Sequence, residues 1–152
     1  MLGNEGLSIF GENYTGRNIL TGVWTPGRVF YVDTAANGGS DSNTGLSPDA
    51  PLLKIEAAMA KCTASKGDVI QILGNSPSSP NDTTVITMDK AGVTLRGLHG
   101  RGMLSDSGFA AYAINTPTLI IAANYVTVEN LYLGCHASGT DGGIIEFSGT
   151  NT

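Results

Sequence analysis

From residue 84 onward the apolar and polar positions of this chain echo one another. Val85-Ile86-Thr87-Met88-Asp89-Lys90-Ala91-Gly92-Val93-Thr94-Leu95-Arg96-Gly97-Leu98 forms one unit, and Leu119-Ile120-Ile121-Ala122-Ala123-Asn124-Tyr125-Val126-Thr127-Val128-Glu129-Asn130-Leu131 a second. The two superpose with a single one-residue gap. Each reads as a short strand, a polar turn of three or four residues, then a Val-Thr strand. Side chains alternate along a strand, so the outer members of Val-Thr-Leu or Val-Thr-Val face inward together. A third unit opens at Gly143-Ile144-Ile145-Glu146-Phe147-Ser148-Gly149-Thr150. The unit starts are 34 residues apart (85 to 119) and then 25 (119 to 144).

Matching strands at unequal spacing predict coils of one solenoid whose loops differ in length. The polar turns are too short for the crossover that parallel strands of one flat sheet require. They suit a corner where the chain bends onto the next face. An antiparallel sandwich also uses many short strands. It has no need, however, for two units that match in order down to the same Val-Thr pair.

Upstream of the repeat, Val29-Phe30-Tyr31-Val32 is a compact β-branched and aromatic run, predicted as a strand. A turn-rich stretch from Asp33 to Pro51 follows. The chain's one clear helical pattern comes next, with Pro51 in its first turn and Leu52, Ile55, Ala58, Met59 and Cys62 at three- and four-residue spacing. Gly67-Asp68 then turns into a second strand, Val69-Ile70-Gln71-Ile72-Leu73. Residues 1–28 carry six glycines and no sustained period, yet hold Ile9, Phe10, Tyr14, Ile19, Leu20, Val23 and Trp24. Such a segment either packs along its own domain or docks on another subunit. In the docking reading, Phe10, Tyr14, Ile19, Leu20 and Trp24 make the partner contacts.

The totals narrow the partners. With 152 residues and 15.6 kDa the chain is one domain's worth, and only 14% of its residues are charged. Abundant Gly, Thr, Ser and Asn fit short strands and tight turns. A net charge of −5 and eight scattered basic residues argue against nucleic-acid binding, which needs clustered Lys and Arg. No apolar run approaches the ~18 residues of a membrane helix, and the first residues lack a secretion signal. Cys62 and Cys135 sit in apolar settings and read as buried reduced thiols rather than a disulfide.

Candidate chemistry is sparse. Asp41-x-Asn43-x-Gly45, with Asp33 and Asp49 nearby, offers oxygen ligands for Ca²⁺, but the twelfth position of such a loop is Leu52 where a bidentate Glu belongs. A turn in which Asp and Asn side chains bond nearby backbone is the better reading. Glu129, Asp141 and Glu146 are the acids of the later units. Stacking in register puts Glu129 beside Arg96 one coil earlier, an exposed ladder pair and no acid dyad. His99 and His136 read as surface loop residues, and the two His and two Cys lack zinc spacing. Gly11-Glu12-Asn13-Tyr14-Thr15-Gly16 lacks the Lys-Ser/Thr of a phosphate loop. No catalytic, cofactor or metal residues are therefore assigned.

Four stretches together resemble the entry of pectate-lyase-like β-helices: Phe30-Tyr31-Val32-Asp33, Gly38-Gly39-Ser40-Asp41-Ser42-Asn43-Thr44-Gly45, Pro51-Leu52-Leu53-Lys54-Ile55-Glu56-Ala57-Ala58 and Gly67-Asp68-Val69-Ile70-Gln71-Ile72. There an opening strand, an Asp/Asn/Gly turn and a capping helix cover the first coil. The same entry resembles bacteriophage tailspikes and related virion spikes. The resemblance covers about residues 29–150. It implies an all-β fold, a right-handed parallel β-helix with one N-terminal capping helix; the extended N-terminal arm is read from the composition of residues 1–28. Residues 1–28 are then the anchoring arm, and residues 29–152 the cap and first coils. By register with the second unit the third stops within a coil, so the β-helix is expected to continue past the C-terminus or to have its open end covered by a partner.

The function implied is that of a structural virion protein of a tailed phage: the anchoring part of a spike, tail fibre or capsid-decoration protein on a capsid or tail surface. Its implied partners are two further copies in a homotrimer, other virion proteins through the arm, and a host glycan through later coils. Arg96 or Arg101 could serve as the base of a lyase, but no Ca²⁺-binding Asp cluster accompanies them. A polysaccharide-degrading enzyme with its active site on later coils is the alternative.

Overall fold

The computed structural model describes residues 25–73, 85–98, 108–111, 117–135 and 145–148. In chain order they form β1 (Val29–Val32), α1 (Ile55–Lys61), β2 (Val69–Ile72), β3 (Ile86–Met88), β4 (Thr94–Gly97) and β5 (Gly108–Ala111). Then come β6 (Leu119–Ile121), β7 (Thr127–Glu129), β8 (Tyr132–Cys135) and β9 (Ile145–Phe147). A single 3-10 turn, Ala35–Asn37, follows β1.

The strands make three sheets, ordered β1-β2-β4-β7, β3-β6-β9 and β5-β8. Every strand pair is parallel, which excludes the antiparallel sandwich for these strands. From β4 the chain visits the first, third and second sheets, then repeats that circuit through β7, β8 and β9. The two sequence units therefore lie side by side and run the same way. Their polar turns carry the chain from the second sheet onto the first, as the corner reading requires.

The observed register simplifies the repeat. Ile86 pairs with Leu119 and Thr94 with Thr127, so one offset of 33 residues relates the two units throughout. The one-residue gap is unnecessary, because Val85 precedes the strand and Ile86 is the residue matched to Leu119. Both are fully buried. Aligning Val85 instead would turn every side chain of β3 to the wrong face. Leu119 in turn pairs with Ile145, an offset of 26.

Inward-facing residues stack along the sheets: Phe30, Ile70 and Leu95 on the first, Ile86, Met88 and Leu119 on the second. They share one core with Val32, Leu52, Ile55, Ala58, Met59, Cys62, Ile72 and Val93. Each large aliphatic side chain so buried contributes about 1.5–3 kcal/mol. Val29, Tyr31 and Val69 form a smaller cluster on the outer face of the first sheet. Burial fades along the stack: β1 and β2 are buried at every position, whereas β7 and β9 are mostly exposed.

α1 packs on β1, β2 and β3 but is shorter than the sequence pattern indicates, since Pro51 and Leu52 are not helical. The Leu52 N–H donates to Tyr31 O at 2.8 Å, and Asp33 N donates to Leu52 O at 2.9 Å. Leu52 is thus a parallel bridge to Val32, and pairing with β1 consumes the backbone groups that a first helical turn would use. Asp41 Oδ1 then accepts from Leu53 N and Lys54 N, both at 3.1 Å, just ahead of the helix. Glu56 in the first turn and Lys61 in the last suit the helix dipole.

The corner before the first sheet also repeats. Gly67, Gly92 and Tyr125 each stand two residues before a first-sheet strand, with φ of 72°, 72° and 58°. Gly92 N donates to Asn124 O at 3.1 Å, stacking one corner on the next. Left-handed backbone costs a non-glycine residue about 1–2 kcal/mol, and glycine's extra unfolded-state entropy offsets about half of that. Tyr125 is 89% exposed and loses little packing on truncation. Tyr125→Gly is therefore expected to stabilise the protein by about 0.5–1 kcal/mol in urea unfolding, and Gly92→Ala to destabilise it by about 1 kcal/mol. A destabilised Tyr125→Gly would contradict strain at this corner.

Candidate functional site

Among the described residues a polar cluster gathers where α1 ends, between β1, β2 and the β3–β4 turn. Asp68 follows the Gly67 corner, and its side chain is 1% exposed. Its Oδ1 accepts from Arg28 N at 2.7 Å, and its Oδ2 from Thr63 N at 2.7 Å and Arg28 Nη2 at 3.3 Å. Arg28 also donates to Lys61 O at 2.8 Å and Thr63 Oγ1 at 3.0 Å, with its guanidinium 4.9 Å above the Phe30 ring. Thr25 Oγ1 donates to Gly67 O, so the approach to β1 is tied to the same corner. Gly27 must be a glycine here: a Cβ would meet Gly67 and Asp68 backbone at 2.5 Å.

From the other side, Lys90 Nζ reaches the C-terminal end of α1. It donates to Met59 O at 2.7 Å, Ala60 O at 2.8 Å and Cys62 O at 2.7 Å, filling all three donor positions of the ammonium. The helix therefore ends on a cation from the first repeat unit, favourable for both carbonyl satisfaction and the dipole.

The chemistry open to these groups is limited. Burial pushes the Cys62 thiol up to about 12, with the Asp68 charge adding to the rise and Lys90 and Arg28 opposing it. A thiol so placed stays protonated and is no nucleophile. Burial alone would raise the Asp68 carboxyl, but the Arg28 and Thr63 N–H donors and the Arg28 guanidinium outweigh it and hold it below the usual carboxylate range. Asp68 is thus an ionised anchor and no proton donor. Beside the cluster runs an open groove of about 240 Å³, lined by Glu56, Met59, Ala60, Val85, Thr87, Asp89 and Lys90. Its one cation is already committed to the helix end.

Asp33 Oδ1 accepts from Thr34 N at 2.7 Å and Asn37 Nδ2 at 3.1 Å, and Asn43 Nδ2 donates to Gly38 O at 3.1 Å and Pro51 O at 2.7 Å. With Asp41 on Leu53 and Lys54, these four side chains are spent on bonds within the turn and at the start of the helix, while Asp49 is exposed and its N–H donates to Ser47 Oγ at 3.2 Å. No group of three or more His, Cys, Asp or Glu converges among the described residues. Arg96 pairs with Glu129 in register, and Arg96 Nε stands 3.4 Å from Glu129 Oε1. Both are partly exposed, and such a pair contributes less than about 1 kcal/mol. Glu146 lies on the second sheet, away from the Glu129 ladder. Cys62 is free.

Phe10, Tyr14, Ile19, Leu20 and Trp24 lie outside the described residues, as do Arg101, Asp141, His99, His136 and the side chain of Cys135. No described helix is long and apolar enough to cross a membrane. The sequence reading missed the Lys90 and Asp68 clamps. The signal available for Asp68 was its Gly-Asp corner ahead of an apolar strand, whereas nothing local marks Lys90.

Lys90→Met strips three carbonyls of a charged donor and is expected to cost about 1–3 kcal/mol in urea unfolding; an unchanged midpoint would refute the clamp. The folded pKa of Asp68 is lowered, so its contribution is fully present above the unfolded value of about 3.9 and is lost as pH falls through the folded value. The stability gap between wild type and Asp68→Asn should therefore shrink as pH drops below about 4. A gap constant from pH 7 to pH 2 would show that the carboxylate charge is not what matters.

No family model, curated protein or solved structure matches this chain.

Proposed function

We propose that this chain is a structural virion protein of a tailed phage, the anchoring part of a spike, tail fibre or capsid-decoration protein, built on a right-handed parallel β-helix. The supporting observation is the repeated circuit through three parallel sheets, with five charged side chains among the described residues bonded to the scaffold. Arg28 and Asp68 fasten β1 to β2, Lys90 ends the helix, and Asp33 and Asp41 shape the loop before it. A stack of parallel strands with short corners is stiff along its axis and lengthens by adding circuits, which suits a projecting element.

The amino-terminal residues would hold this element to the particle. Thr25 and Arg28 already bond to the body of the fold, so the natural cut for a test lies before them. Deleting residues 1–24 is expected to leave the circular-dichroism spectrum of a β protein while abolishing attachment to phage particles in a sedimentation assay. Retained attachment would remove the anchoring role. Cleavage of acidic polysaccharide by the purified protein would favour an enzyme.

A further inference from the structure

We propose that Asn37–Gly38 is a site of spontaneous deamidation through a succinimide, and that conversion there loosens the loop sealing the free edge of β1. It is the one Asn-Gly pair in the chain. Asn37 is exposed and ends the 3-10 turn. Gly38 has φ of 87°, and nothing lies within 4 Å of where its Cβ would stand, so no side chain or neighbour crowds the residue that supplies the attacking nitrogen.

In the step itself the Gly38 backbone nitrogen gives up its proton and bonds to Asn37 Cγ. The Cγ–Nδ2 bond breaks, and the side-chain nitrogen leaves as ammonia. Water then opens the ring at either carbonyl, giving aspartate or isoaspartate. One water is consumed and one ammonia released, with no oxidant or reductant. The attacking nitrogen donates to Ala35 O at 3.1 Å, and that bond must open first. It belongs to an isolated 3-10 turn with weak hydrogen-bond geometry, the kind of local structure that opens without global unfolding.

The structure also fixes the consequence. Asn37 Nδ2 donates to Asp33 Oδ1 at 3.1 Å, and Asp33 is a buried residue, 8% exposed. After conversion a second carboxylate stands where the donor was, so an attraction becomes a like-charge contact. An isoaspartate would add a backbone carbon as well. Gly39 leaves no slack for it, since a Cβ there would meet Asp33 O at 2.1 Å. This loop carries Gly45 and leads to Leu52, which bond the free edge of β1 through Tyr31 N, Tyr31 O and Asp33 N.

The test is incubation of the folded protein at pH 9 and 37 °C, followed by peptide mapping and enzymatic isoaspartate assay. Expected is a mass gain of one unit and isoaspartate confined to the peptide holding residue 37, both absent in Asn37→Gln. A folded protein that forms none, while the urea-unfolded chain converts, would overturn the proposal. Asn37→Asp, which mimics one product, tests the consequence separately. Its thermal midpoint is expected below that of Asn37→Gln at pH 7. Equal midpoints at pH 7 would overturn the second half of the claim.

Discussion

Everything in this molecule depends on the parallel ladder keeping its apolar residues on the inside from one circuit to the next. Val29 pairs with Val69, Val69 with Thr94 and Thr94 with Thr127, so 40, 25 and 33 residues separate successive strands of the first sheet. The connecting lengths vary freely; the phase of each strand cannot. A slip of one residue would bring Arg96 and Gln71 into the core and put Leu95 and Ile70 outside. The fixed corners enforce that phase. Gly67, Gly92 and Tyr125 all take left-handed backbone at the same point before the strand, and Thr94 N and Thr127 N then bond to the residue preceding the strand of the circuit before, Asp68 O and Val93 O. The core and the corner therefore select the same register independently.

A parallel stack has two ends, and the described residues treat them differently. At β1, Tyr31 N donates to Gly45 O, Leu52 N to Tyr31 O and Asp33 N to Leu52 O, while α1 lies across the core with Ile55, Ala58 and Met59 buried. That edge has few backbone groups left to offer, and its apolar interior is covered. The clamps explain how so short a helix stays in place. Seven residues cannot hold helical structure in isolation, so α1 is fixed from outside by Asp41 ahead of its first turn and by Lys90 and Arg28 behind its last. At the other end β7, β8 and β9 are each the last described strand of their sheet, and Phe147 is 77% exposed.

Much of the architecture was legible because it is written as periodicity. The match between residues 85–98 and 119–131 carried strand order, direction and the corner between sheets, and it placed Arg96 against Glu129. Two readings went astray for physical reasons. Periodicity carried the helix back to Pro51 and Leu52 because Leu52 is as apolar as a helical residue would be there; its backbone pairs with β1, and pairing with a distant strand leaves no local trace. The gap in the repeat came from treating Val85 as the first residue of the strand, although Val and Ile are equally good strand formers and only burial separates them. The Lys90 clamp was invisible for a related reason. Its acceptors are carbonyls 28 to 31 residues away, and every residue has a carbonyl.

Gln71 shows where these constraints conflict. It occupies the outward position between Tyr31 and Arg96 in the ladder, yet it is fully buried, and its Oε1 has no partner among the described residues. Among the described residues its Nε2 donates to Arg96 O at 3.3 Å and Ile72 O at 3.4 Å, both long. An unsatisfied buried acceptor costs about 1–3 kcal/mol, and an aliphatic residue at this position would avoid that cost, as Val69 does two positions earlier on the same face. A strand in the middle of a sheet normally meets solvent or apolar cover on its outer side, and glutamine suits the first of these. The outer face therefore changes character across a single strand, from the apolar Val29–Tyr31–Val69 cluster to the Arg96–Glu129 pair. Gln71 stands at that boundary, apolar enough along its stem to join the cluster and polar enough at its tip to meet the charged ladder.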